Sequence, residues 1–185
     1  MQRPVPGLWL VSDDRNDDQL AQLLRRLPSG CGLIFRHYHL APEARRKRFD
    51  ALRLLAHAHR HVIVLADAPA VARKWRADGV YGAPARIALR RSSERGFLRL
   101  ATAHSLAQLA AGVRTAADLA LLSPVYPTRT HPGAKVLGPV RALLLARQVP
   151  LKVAMLGGMT RARARRMGSV EWAAIDGLGR CPSVS

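Results

Sequence analysis

Short apolar runs alternate along the chain with longer stretches whose apolar positions recur every three or four residues. This is the pattern of β-α units wound around a parallel sheet. The apolar runs predict eight buried strands, over residues 8–12, 32–38, 61–66, 79–81, 98–102, 118–122, 151–156 and 171–175. Between them the periodic stretches predict helices over 18–27, 42–59, 69–76, 105–111, 138–147 and 160–167, while 84–95 reads equally as helix or loop. End signals agree with period. Pro28-Ser29-Gly30 resists helical continuation, and Pro42-Glu43 sets proline in a first turn with a carboxylate at the positive end of the helix dipole. In that second helix Phe49, Leu52, Leu55 and Ala56 form the apolar face. Eight strands with short helices between them describe a compact (β/α)8 barrel of the TIM type, one domain over residues 1–185, although the chain is short for that fold. An open doubly wound sheet is the alternative.

The barrel reading directs attention to the ends of the strands, because loops at the C-terminal mouth carry the chemistry in this architecture. The longest stretch without helical or strand character runs from 123 to 138, after the sixth strand, and a long loop in a compact domain is usually functional. It opens Ser123-Pro124-Val125-Tyr126-Pro127-Thr128-Arg129-Thr130-His131, where two prolines restrict the backbone and present two threonines with little entropy left to lose. After the seventh strand, Leu156-Gly157-Gly158-Met159-Thr160 leads into a helix. The missing Cβ atoms let a ligand approach the amides, so Gly157 and Gly158 predict a phosphate seat. Thr102-Ala103-His104-Ser105 ends the fifth strand and sends Thr102 and His104 toward the same mouth. His104 suits proton transfer near neutral pH, and a hydrogen-bonding cap is the competing role. The histidines at 57, 59 and 61 straddle a helix end and a strand start, and read as surface groups rather than ligands on one face.

Composition changes this picture in one respect. The formal charge is +18, and a basic surface is the electrostatic footprint of anion or nucleic-acid binding. The two clusters, Arg45-Arg46-Lys47-Arg48 and the arginines between 161 and 166, lie on predicted helices without interleaved aromatics to stack bases. Solvated helix faces and attraction of phosphorylated metabolites explain them better than nucleic acid, which ranks last. No apolar run is long enough to span a membrane, and the first residues lack the apolar stretch of a signal peptide, so a cytoplasmic protein is expected. Cys31 and Cys181 are too few for a disulfide framework or a zinc cluster and are read as reduced thiols. Nothing in the composition sets an oligomeric state.

Taken together, the motifs resemble one family, the thiamin phosphate synthases and their relatives the TenI-type thiazole tautomerases. The resemblance runs from Val11-Ser12-Asp13 through Ala77-Asp78-Gly79-Val80 and Thr102-Ala103-His104-Ser105. It is most specific at Pro124-Val125-Tyr126-Pro127-Thr128-Arg129-Thr130 and continues at Leu156-Gly157-Gly158-Met159. It implies a phosphate-binding barrel that joins a pyrimidine pyrophosphate to a thiazole phosphate, releasing pyrophosphate with the help of Mg2+ and basic residues. Carried over by motif, Thr128 and Thr130 contact phosphate, Gly157 and Gly158 bind the thiazole phosphate, and Arg36 faces the pyrophosphate. Neutralising the leaving group would dominate such catalysis.

The departures from the family pattern gather on the leaving-group side. The usual Gln-x-Arg-x-Lys of the second strand reads Ile34-Phe35-Arg36-His37-Tyr38 and keeps only the arginine. The Asn-Asp pair expected after the third strand falls on Leu65-Ala66, and no acid follows the fourth strand in Gly79-Val80-Tyr81-Gly82-Ala83-Pro84. Both Mg2+ carboxylates implied by the resemblance are thus missing, unless Asp13, Asp14 or, by a shift in register, Asp67 rebuilds the site. Three readings follow: a thiamin phosphate synthase with an altered metal site, a thiazole tautomerase using His104, and a non-catalytic binding protein that kept the phosphate pocket.

Overall fold

The computed structural model describes residues 4–88, 96–128, 133 and 135–178. Its eight strands, β1 (Leu8–Val11), β2 (Gly32–Phe35), β3 (Val62–Leu65), β4 (Gly79–Gly82), β5 (Leu98–Ala103), β6 (Leu119–Leu122), β7 (Val153–Met155) and β8 (Trp172–Ala174), close a parallel barrel in chain order. β1 pairs with β8 through Leu8 and Trp172, which rules out the open doubly wound sheet. Seven helices alternate with the strands: α1 (Asp17–Arg26), α2 (Pro42–Ala58), α3 (Pro69–Lys74), α4 (Pro84–Ile87), α5 (Leu106–Arg114), α6 (Pro139–Arg147) and α7 (Arg161–Arg166). The ambiguous stretch 84–95 therefore begins with one helical turn, and 89–95 lie outside the described residues. No helix among the described residues is long and apolar enough to cross a membrane.

Strand residues divide between two cores. Alternate residues, among them Trp9, Val11, Ile34, Val62, Val64, Leu98, Leu100, Leu119, Leu121, Ala154 and Ala173, fill the barrel interior, while their neighbours Leu10, Leu33, Phe35, Ile63, Leu65 and Leu122 pack against the helices. Both faces are dry, which is why the strands read as continuous apolar runs rather than alternating ones. Trp9 needs space in the interior, and Gly32 on the next strand provides it: a Cβ there would lie 2.2 Å from the indole ring.

Polar side chains pin the strand ends. Asp78, just before β4, accepts the Ile63 amide proton at 2.9 Å; Asp118, just before β6, accepts that of Arg99 at 2.7 Å. The Ala77-Asp78-Gly79 motif is therefore a structural clamp at the bottom of the barrel. Of the histidines expected at the surface, His57 is exposed and His61 is buried, and both bond into this scaffold. His57 Nε2 bonds Asp78 Oδ2 at 2.8 Å, and buried His61 donates from Nε2 to the Leu24 carbonyl at 2.8 Å. At the other end, buried Asn16 donates to the carbonyls of Val11 and Ile175, tying β1 to β8. Cys31 is buried, and burial pushes its thiol up; Cys181 lies outside the described residues.

Candidate functional site at the barrel mouth

The segment after β6 and the glycine turn after β7 form one packed unit. The Val125 amide donates to the Leu156 carbonyl at 2.9 Å and the Tyr126 amide to the Gly157 carbonyl at 3.0 Å, across a cis Ser123–Pro124 peptide. Gly157 and Gly158 have φ of +89° and +61°, and a Cβ on either would strike Pro124 or the Pro127 carbonyl. Only glycine fits here. Their amide N–H groups find no acceptor among the described residues. Arg163 of α7 holds the turn from outside, donating to the Gly158 carbonyl while its guanidinium stacks 4.4 Å from the Tyr126 ring centroid. That arginine came from a cluster expected to be solvated, and sequence spacing gives no sign of its role. Thr128 is half-buried at the end of this loop; Arg129, Thr130 and His131 lie outside the described residues.

His104 reaches the same loop. Its Nδ1 lies 2.8 Å from the Ser123 carbonyl oxygen, which can only accept, so Nδ1 carries the proton and Nε2 is the basic nitrogen. The His104 amide donates to Gln108 Oε1 at 2.6 Å, and Ser105, not His104, caps α5. The capping alternative for the imidazole is thereby excluded. Thr102 lies two residues beyond inward-facing Leu100, on the inner face of β5.

Across the mouth, β2 stops at Phe35, earlier than expected, because His37 adopts a left-handed φ of +42° that no strand continues. The turn is held by a buried chain of hydrogen bonds. Ser12 Oγ accepts the Arg36 amide proton at 2.7 Å and donates to His37 Nδ1 at 2.7 Å, while His37 Nε2 faces Asp17 Oδ1 at 2.8 Å. Burial keeps the His37 imidazole below its ordinary pKa, against the pull of Asp17. Arg48 of the supposedly solvated cluster closes the chain, donating to the same Asp17 oxygen at 2.7 Å.

Tyr81, which reads in the sequence only as a strand residue, joins Arg36 on this side. Burial raises its phenol to about 12, opposed by the Arg36 guanidinium. A folded-state value above the ordinary 10.0 means that stability is whole below pH 10 and is lost as pH rises toward 12. In an ultraviolet tyrosinate titration, one of the three tyrosines should therefore ionise late. Tyr81→Phe should remove that step, and Arg36→Ala should move it higher; a single transition for all three would contradict the placement.

The Mg2+ implied by the resemblance does not fit this mouth. Asp67 sits two residues past β3, so a one-residue shift does bring a carboxylate to the right strand end. Arg45, however, binds Asp67 Oδ2 at 2.6 Å, and the Ala68 amide binds Oδ1 at 2.8 Å. Asp13 is paired with Arg15 at 2.7 Å, and Asp14 lies beside it on a 3-10 turn. Among the described residues the sole group of three side chains able to hold an ion is Asp17, His37 and His39. One carboxylate and two imidazoles are the wrong donors for a hard cation that demands oxygens.

Asp13 makes its own prediction. Burial opposes its ionisation, but hydrogen bonds from the Arg15 side chain and amide and the Arg15 charge outweigh this and lower it from 3.8 to about 2. Its contribution to stability is full above pH 3.8 and is lost as pH falls through 2. Asp13→Asn should lower the urea midpoint at neutral pH, where the Asp13–Arg15 pair is intact, and flatten the acid limb of its pH profile in that window; an unchanged acid limb would refute it.

The family model described as thiamine monophosphate synthase, TMP-TENI, matches residues 8–175. The structure superimposes on thiamine phosphate pyrophosphorylase from Pyrococcus furiosus with a TM-score of 0.74 at 20% identity, covering 94% of this chain and 87% of that one. A thiamine phosphate pyrophosphorylase from Bacteroides thetaiotaomicron gives 0.59 at 13% identity over 98% and 89%. The YdjI aldolase from Escherichia coli K12 gives 0.62 at 11% over 91% and 74%, so the barrel itself is shared with different chemistry. No curated protein matches the sequence.

Proposed function

The chain belongs to the thiamine monophosphate synthase family, and from that premise we propose that it joins a pyrimidine pyrophosphate to a thiazole phosphate. The observation that carries this reading is the two-sided mouth. Open amides at Gly157 and Gly158 offer one anion seat, and Arg36, braced by Ser12 and set beside Tyr81, offers a second across the barrel. Two phosphorylated substrates need two such seats. The carbon–oxygen bond to pyrophosphate breaks with the electron pair leaving on pyrophosphate, and the thiazole nitrogen forms the new carbon–nitrogen bond. Arg36 neutralises the leaving group, while the turn and Thr128, with Thr130 carried over by motif, orient the thiazole phosphate. Thr102 lines the floor between them. Incubating the full chain with both substrates and following thiamin phosphate is the test; no product at high protein concentration overturns the reading.

The His104 geometry favours a second reading, proton transfer on the thiazole ring. A neutral imidazole with Nδ1–H bound to the Ser123 carbonyl presents Nε2 as the base, next to the loop packed on Gly157. This chemistry needs the thiazole seat but no pyrophosphate. Tautomerisation of a thiazole phosphate that persists unchanged in His104→Ala removes it. Binding of both phosphates without either reaction supports a non-catalytic role instead.

A further inference from the structure

The misfit with Mg2+ has a counterpart on the same strand ends. Arg45, on the first turn of α2, reaches back over the mouth with only 11% of its side chain exposed. Its guanidinium donates to three oxygens: Arg36 carbonyl from Nε at 2.9 Å, Asp67 Oδ2 from Nη1 at 2.6 Å and Ala66 carbonyl from Nη2 at 3.1 Å. One carboxylate and two carbonyls are the hard oxygen donors a divalent cation would take. Here they are already filled by a positive charge that cannot be removed by deprotonation or chelation. The rings of Phe35, Tyr38 and Trp75 surround it at 5.9, 5.3 and 5.4 Å from their centroids, fixing the plane of the fork.

We propose that Arg45 is a resident cation: it occupies the oxygen cage at the ends of β2 and β3 in place of a divalent ion, its charge balanced by Asp67, and through the Arg36 carbonyl it holds Arg36 to neutralise a pyrophosphate group there. The inference rests on the two-seat reading of the mouth but concerns binding and charge alone. Arg45 grips the Arg36 carbonyl while Ser12 grips the Arg36 amide, so the backbone that carries the Arg36 guanidinium is held from both sides.

The test uses the full chain and inorganic pyrophosphate, titrated by calorimetry in excess EDTA and in excess Mg2+, together with Mn2+ alone followed by electron paramagnetic resonance. Wild type should bind pyrophosphate as tightly in EDTA as in Mg2+ and should bind no Mn2+. Arg45→Ala should weaken binding in EDTA by about 10- to 100-fold, as expected for lost charge-assisted hydrogen bonds, and Mg2+ should recover part of that loss because the oxygens are vacated. Arg45→Lys, which keeps the charge without the fork, should fall between and serves if the alanine variant does not fold. Stoichiometric Mn2+ binding by wild type, pyrophosphate affinity that collapses in EDTA, affinity indifferent to both substitutions, or no pyrophosphate binding at all would each overturn the proposal. Expected binding results with no thiamin phosphate formed would overturn the synthase reading and leave this one standing.

Discussion

Gly157→Ala should abolish detectable binding of thiazole phosphate and lower stability by about 2–5 kcal/mol, the sum of two independent costs. The first is conformational: φ is +89°, a region where a Cβ collides with its own backbone, at about 1–2 kcal/mol. The second is packing, because that Cβ would lie 2.8 Å from Pro124 Cα, 2.9 Å from Pro124 Cβ and 3.2 Å from the Val125 nitrogen. Those atoms belong to a backbone already hydrogen-bonded to the turn through Leu156 and Gly157, so relief means parting the loop from the strand. Overpacking of this kind costs about 1–3 kcal/mol. For a chain of this size the melting temperature should drop by roughly 10 °C. Gly168 is the control. It has φ of +86° with nothing within 4 Å of where a Cβ would stand, so Gly168→Ala bears the first cost alone and should bind thiazole phosphate as wild type does. Equal behaviour of the two variants in calorimetry would show that the turn is not the phosphate seat.

That turn was legible from the sequence because its signal is local: two glycines between an apolar run and a helix say what the backbone must do. The strands were legible for a similar reason, since a parallel sheet dry on both faces writes itself as continuous apolar runs. What escaped depends on distance. Ser12, Asp17 and His37 are brought together from three different strand or helix ends, and His37 turns left-handed without glycine, so β2 ends where propensity would extend it. Arg45 and Arg48 looked like a solvated face because their neighbours in sequence are charged. Only the packing of α2 against α1 and β3 brings them onto Asp17 and Asp67. Tyr81 hid inside an apolar run. His61 misleads in the opposite sense: a helix-to-strand junction looks exposed in sequence, as His57 indeed is, yet the connection into β3 folds the His61 ring onto the Leu24 carbonyl.

Arg36→Ala should slow formation of thiamin phosphate by about 10²–10³-fold, the usual effect of removing one preorganised donor from a site of developing negative charge. Little else should change. The backbone of residue 36 is fixed by its own amide on Ser12 and its carbonyl under Arg45, bonds that the substitution leaves in place. The side chain's described contact is a cation-π approach to exposed Tyr38 at 5.8 Å, so the melting temperature should barely move. Thiazole phosphate affinity should also be preserved, because the seat proposed for it is the glycine turn after β7, across the barrel. Arg36→Lys should recover only part of the rate, as a point charge lacks the fork that matches two phosphate oxygens. His104→Gln supplies the contrast. If the mouth exists to neutralise a leaving pyrophosphate, coupling falls steeply in Arg36→Ala and modestly in His104→Gln. Coupling indifferent to Arg36 would contradict that purpose, and with thiazole proton exchange lost in His104→Gln it would move the chemistry to the imidazole side of the same pocket.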